Sequence, residues 1–209
     1  MATGQKVFIS PPEPKFTSAD LLLLPDDNKR YEIIEGELYV SRLPSYEHQI
    51  ACARLWSAFD EWNEQSSAGG AFVNPGLVFG DNDDVIPEVI WISLDRFSGA
   101  VDEVGHFRVA PELAVEVLSP GKANEDRDRL AKLKLYSRRG VQEYWIVDWR
   151  ARQVDIHRRI RRRLQHIETL LPQDEITSPL LPGFACRVST LFFSLPKGLK
   201  SNSMKKEMK

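Results

Sequence analysis

The feature that most narrows the folds open to this chain is a strand, helix, strand succession between residues 113 and 148. Leu113–Leu118 (LAVEVL) and Val141–Asp148 (VQEYWIVD) are apolar runs of strand length, rich in β-branched and aromatic residues. Between them, Asn124–Arg139 (NEDRDRLAKLKLYSRR) places acidic residues in its first turn, basic ones in its last, and Gly140 just beyond, as a capped helix does. Two strands joined through a helix need a crossover, so this pair is predicted to run parallel. Hairpins are antiparallel, and two are legible. Arg30–Ser41 (RYEIIEGELYVS) turns near Glu35 and Gly36, and Gln153–Leu170 turns near the arginine-rich stretch Arg158–Arg163. The expected fold class is therefore α/β, a central mixed β-sheet flanked by helices with additional β-hairpins.

The remaining pattern fills in that frame. Leu21–Leu24 reads as a short helix ended by Pro25. From Ser45 to Gln65, Cys52, Leu55, Phe59 and Trp62 recur at helical spacing, and Gly69-Gly70 ends the run. His48 lies on the same stripe, four residues before Cys52, and is expected to face the sheet. Leu77–Phe79 and Glu88–Ile92 (EVIWI) read as strands. No internal repeat or low-complexity linker divides the middle of the chain, so one domain is expected over residues 16–196. Residues 1–15, with Pro11, Pro12 and Pro14, and the basic stretch 197–209 are expected to be mobile tails.

Composition excludes several classes of protein. A net charge of -2 leaves no global basic field, so any contact with nucleic acid has to be local. Arg158–Arg163, with Arg150 and Arg152, is the best basic patch, although a charged hairpin tip is more often a solubility device. Cys52 and Cys186 form no CxxC pair, which argues against a zinc knuckle or a disulfide framework and fits a reducing cytoplasm. The cysteines read as small apolar fillers. The tryptophans Trp56, Trp62, Trp91, Trp145 and Trp149 can stack bases in principle, but four of them sit in helix or strand patterns and read as core or interface. The N-terminal stretch lacks the apolar core of a signal peptide, and no apolar run is long enough to span a membrane.

Chemistry is suggested by carboxylates inside runs that otherwise read as buried, because burying a lone charge is costly. Glu88 follows Pro87 at the mouth of EVIWI, and Glu116 interrupts LAVEVL. Adjacent strands can bring two such groups together, and a hard divalent ion such as Mg²⁺ takes one or two carboxylates with waters. The plain alternatives are a solvated or arginine-paired strand carboxylate for Glu116 and an edge-of-strand residue for Glu88.

An acidic residue after proline on one strand, a Glu on the next and a nearby Lys resemble the PD-(D/E)XK nuclease signature, here Pro87-Glu88 and Glu116-Val117-Leu118. The wider pattern resembles the Uma-two family of restriction-endonuclease-like proteins. It comprises the hairpin RYEIIEGEL, Glu47-His48-Gln49 at a helix start, Val115–Pro120, and the spacing Asp128, Lys132, Tyr136. Gly140-Val141, Glu143–Asp148 and Pro182-Gly183-Phe184 complete it. This resemblance covers about residues 16–195 and implies a restriction-endonuclease-like fold. It further implies Mg²⁺, or Mn²⁺ in its place, held by Glu88, Glu116 and the backbone carbonyl of Val117. Lys132 would position the attacking water or stabilise phosphate charge, His48 and Glu47 would support the site, DNA would be the substrate, and the active form would be a homodimer.

Two departures are visible: Glu88 stands where the family usually has Asp, and Leu118 stands where the signature places its lysine. They motivate a second expectation, a catalytically silent binding or assembly module on the same fold. A third is a nuclease directed at RNA or at repair intermediates. Lys132 has a plain reading as an exposed i,i+4 partner of Asp128, and His48 as a core histidine bonded to backbone. Glu32 and Glu35, beside a glycine turn, are expected to be solvated.

Overall fold

The computed structural model describes residues 14–193. The expected tails, 1–15 and 197–209, lie outside the described residues except for Pro14 and Lys15.

The chain runs α1 (Ser18–Leu21), β1 (Arg30–Ile34), β2 (Glu37–Ser41), α2 (Tyr46–Ser66), β3 (Gly69–Val73), β4 (Leu77–Gly80), β5 (Asp83–Val85), β6 (Val89–Ser93), α3 (Leu94–Phe97) and β7 (Leu113–Val117). It continues through α4 (Lys122–Asp126), a π-helical segment (Arg127–Lys132), α5 (Leu133–Arg139), β8 (Glu143–Asp148), β9 (Gln153–Ile160), β10 (Arg163–Leu170), β11 (Glu175–Ser178) and β12 (Leu181–Arg187). A six-stranded sheet has the order β10-β9-β8-β7-β6-β3; β7 and β8 pair in parallel and its other pairs are antiparallel. The mixed sheet, its one parallel pair and the flanking helices are those the strand, helix, strand succession requires. A second sheet has the order β2-β1-β5-β4, and β11 and β12 form a third.

Alternation along β6, β7 and β8 feeds two cores, one on each face of the large sheet. Val89, Trp91, Leu113, Val115, Val117, Trp145 and Val147 pack beneath Ala51, Leu55 and Phe59 of α2. Ile90, Ile92, Ala114, Tyr144 and Ile146 pack against Leu135 and Tyr136 of α5. Both faces of these strands are covered, which is why they read as continuous apolar runs.

Local chemistry sets the boundaries. The β1–β2 turn puts Glu35 and Gly36 at φ 53 and 82, the two positive values a tight hairpin turn of this hand demands. Ser45 caps α2, its hydroxyl accepting from the His48 backbone N–H at 3.4 Å. Gly140, at φ 98, ends α5.

The first helix lies at Ser18–Leu21 rather than Leu21–Leu24, because Asp20 accepts the Thr17 backbone N–H at 2.7 Å and fixes the start, while Leu22 and Leu23 stay exposed. The strand β3 begins at the glycines expected only to end a helix. Gly69 lies so close to the Ile92 carbonyl and the Trp91 ring that a Cβ would collide with them. The expected continuous helix over Asn124–Arg139 starts at Lys122 and is interrupted by the π-helical segment.

Candidate active site

The site forms at one end of β6 and β7. Val89 pairs with Val115, so Glu88, one residue before β6, lies at the same end of the sheet as Glu116, and its charge helps to raise the Glu116 carboxyl. They are approached from opposite faces of the sheet. Glu88, 4% exposed, meets α2. Its Oε1 lies 3.5 Å from His48 Nε2, and its Oε2 lies 3.6 Å from the Cys52 thiol. Arg30, from β1, donates to Glu88 Oε1 at 2.6 Å and to Asn74 Oδ1 at 2.8 Å.

Glu116 is fully buried beneath the π-helical segment and α5. Lys132 donates to its Oε1 at 2.9 Å and Tyr136 at 3.0 Å. Glu32, on β1, accepts from the same Lys132 ammonium at 2.7 Å and from the Ile86 backbone N–H at 2.8 Å, and Arg127 lies 3.5 Å from its second oxygen. Arg127 also pairs with Asp128 at 2.7 Å. The Tyr144 hydroxyl donates to the Asp128 carbonyl at 2.8 Å and pins the π-helical segment to the sheet. Such segments inside α-helices occur frequently at functional sites.

Charge does not balance here: three buried carboxylates, Glu32, Glu116 and Asp128, face two cations, Lys132 and Arg127. One extra proton or cation is needed for neutrality. Burial pushes the Glu116 carboxyl up to about 8 even though Lys132 opposes this. Burial raises Asp128 as well. Burial also works against ionised Glu32, but Lys132, Arg127 and the Ile86 N–H outweigh it and hold that carboxyl below its ordinary value. Lys132 is held above its ordinary value, Glu116 and Glu32 outweighing the burial that opposes its charge. Oε2 of Glu32 and Oε2 of Glu116 are both buried without a hydrogen-bond partner. Burial shifts His48 down, against the pull of Glu88 and of a hydrogen bond to the Val117 backbone.

The structure thus gathers His48, Glu88, Glu116, Val117 and Lys132 at one sheet end, with several corrections to the expectations. Glu116 does not face solvent, because the π-helical segment and α5 cover its face. Lys132 is not an exposed partner of Asp128. It lies fully buried between Glu32 and Glu116, at the end of the π-helical segment. Glu32 is 1% exposed and belongs to the site. Its place inside the apolar run Tyr31–Ile34 was the signal, of the same kind that singled out Glu116. Arg30 was missed because its partner Glu88 lies 58 positions away; Cys52, read as an apolar filler, Asp128, named only for its spacing to Lys132, and Arg127 beside it also belong to the site.

Glu47 lines a different cavity, of about 490 Å³, with Tyr46, Trp149, Arg150, Arg152 and Phe193. From that cavity the Trp149 indole donates to the carbonyl of Leu118, the residue after Val117, at 3.0 Å. Of the expected basic patch, Arg158 is tied to Glu143 at 3.0 Å and Arg159 to the Val141 carbonyl at 2.8 Å.

A family model described as "Uma2: Putative restriction endonuclease" matches residues 18–189. No curated protein matches the chain. Among solved structures, the chain is similar to a protein from Anabaena variabilis described as a "putative nuclease belonging to DUF820". The TM-score is 0.67 at 18% identity, over 85% of this chain and 97% of that one. At that identity the likeness speaks for the fold alone. Among the described residues, no helix is long and apolar enough to cross a membrane.

Proposed function

Because the chain belongs to the Uma2 family, we propose that it is a nuclease that hydrolyses DNA phosphodiester bonds with Mg²⁺ or Mn²⁺ and acts as a homodimer. The observation that carries this reading is the uncompensated carboxylate cluster. Glu116 keeps one buried oxygen without a partner, beside Glu88, where the surrounding cations fall one charge short.

This donor set fits a hard divalent cation, which takes carboxylate and carbonyl oxygens. Glu88, Glu116 and the Val117 carbonyl would hold it. Once bound, the cation would supply Lewis acidity toward the phosphate and lower the pKa of a water. The protein's own groups do the rest. Lys132 keeps its proton on Nζ, fixed between Glu32 and Glu116, where it can orient a water or a phosphate oxygen. Tyr136 donates to the same Glu116 oxygen as Lys132 and leaves Oε2 without a partner. The groove of Tyr46, Trp149, Arg150, Arg152 and Phe193 offers cations and aromatic faces to a backbone and its bases. A homodimer suits cleavage of both strands of a duplex, since two-fold symmetry matches the two strands to two sites.

A second reading, a silent binding module, is favoured by one contact: Arg30 donates to Glu88 Oε1 at 2.6 Å, neutralising its charge and leaving only Oε2 for a cation. Nicking of supercoiled plasmid with Mg²⁺ or Mn²⁺ separates the two. The nuclease reading expects cleavage by the native chain and none by Glu116→Gln or Lys132→Met prepared in folded form. An inert native chain that binds neither metal ion would establish the silent module instead.

A further inference from the structure

Cys52 has no part in the hydrolysis proposed above, yet its thiol lies beside two potential ligands. His48 Nδ1 is 3.5 Å from Cys52 Sγ, and that sulfur is 3.6 Å from Glu88 Oε2. One donor atom from each of the three residues lies within 4.8 Å of the other two. Tetrahedral coordination with bonds of about 2.0 to 2.3 Å to N, O and S sets ligand atoms roughly 3.3 to 3.6 Å apart. The two observed separations match such edges.

Position in the fold explains the convergence. His48 and Cys52 are one helical turn apart on the buried stripe of α2, and Glu88 meets them from the mouth of β6. A cavity of about 440 Å³, lined among others by Pro44, Gln49 and Asn74, opens onto all three and gives an ion a way in and room for a water as fourth ligand. Arg30 binds the other Glu88 oxygen, and the Val117 backbone bonds the imidazole. These are the outer contacts that hold ligating carboxylates and histidines in place.

We propose that His48, Cys52 and Glu88 form a site for a borderline-soft divalent cation of the Zn²⁺ class, distinct from the oxygen-donor set of Glu88, Glu116 and the Val117 carbonyl. Imidazole with thiolate selects such ions over Mg²⁺. Glu88 is the only side chain common to the two sets.

The test is titration of the purified full chain with Co²⁺, read as the near-ultraviolet absorption of a cobalt–thiolate bond, followed by displacement with Zn²⁺. The expected result is a thiolate band that Zn²⁺ abolishes. Cys52→Ser should lose it although Cys186 remains, and His48→Gln should weaken Co²⁺ binding by about tenfold or more. Glu116→Gln should keep the band, so this proposal stands or falls separately from the nuclease reading. Cobalt bound without a thiolate band, or a band that persists in Cys52→Ser, would overturn it, and circular dichroism of each variant establishes that it is folded.

Discussion

Glu32 and Glu116 share a single ammonium: Lys132 Nζ lies 2.7 Å from Oε1 of the first and 2.9 Å from Oε1 of the second, all three side chains being almost wholly buried. A hairpin, a central strand and a crossover helix are thereby joined through one charge, and much of the site's expected behaviour follows from it.

Removing that charge leaves two buried carboxylates facing each other. Lys132→Met is expected to cost about 3 to 5 kcal/mol of stability, the usual penalty for breaking a buried pair from one side. Urea unfolding measures it. A Lys132→Met, Glu116→Gln double variant should recover part of the loss, and strict additivity of the two changes would refute the coupling.

Stability of the metal-free chain should fall as pH rises from about 5 toward 9. The Glu116 carboxyl sits at about 8 when folded and near 4.5 when unfolded, so between these values the folded state binds the extra proton. The contribution is complete below the unfolded value and is lost as pH passes the folded one, at up to about 1.4 kcal/mol per pH unit. Glu116→Gln should flatten this slope in unfolding curves taken across the range.

Glu32→Gln keeps an acceptor for the Ile86 N–H at 2.8 Å but withdraws the charge that shares Lys132. Under the nuclease reading, the cleavage rate constant should fall at least tenfold while the affinity for DNA stays within about twofold, because both Glu32 oxygens are turned to Lys132, Arg127 and the Ile86 N–H. Single-turnover cleavage with a separate binding assay distinguishes this from a loss of affinity.

Arg150 and Arg152 line the aromatic groove. Replacing both with Ala should weaken DNA binding similarly for all sequences and reduce the slope of log affinity against log salt by about 2, one for each lost phosphate contact. Replacing Arg158 and Arg159, which lie outside that groove, should leave that slope unchanged.

Much of the architecture was legible because it is written in local pattern. Apolar runs marked β6, β7 and β8, helical spacing marked α2, and Glu35-Gly36 marked the first hairpin turn. The crossover helix forced a parallel pair. Glu88, Glu116 and Lys132 could be picked out because a charge within an apolar run, or at a familiar spacing, is visible along the chain. What tertiary structure alone decided is who pairs with whom. That Glu32 is buried rather than solvated, that Arg30 holds Glu88, and that Cys52 and His48 converge on Glu88 depend on contacts between residues far apart in sequence, which periodicity cannot encode. The π-helical turn that ends at Lys132 is of the same kind: a turn wider than the α-helical one is stable here because the packing of Tyr144 and the buried charges hold it.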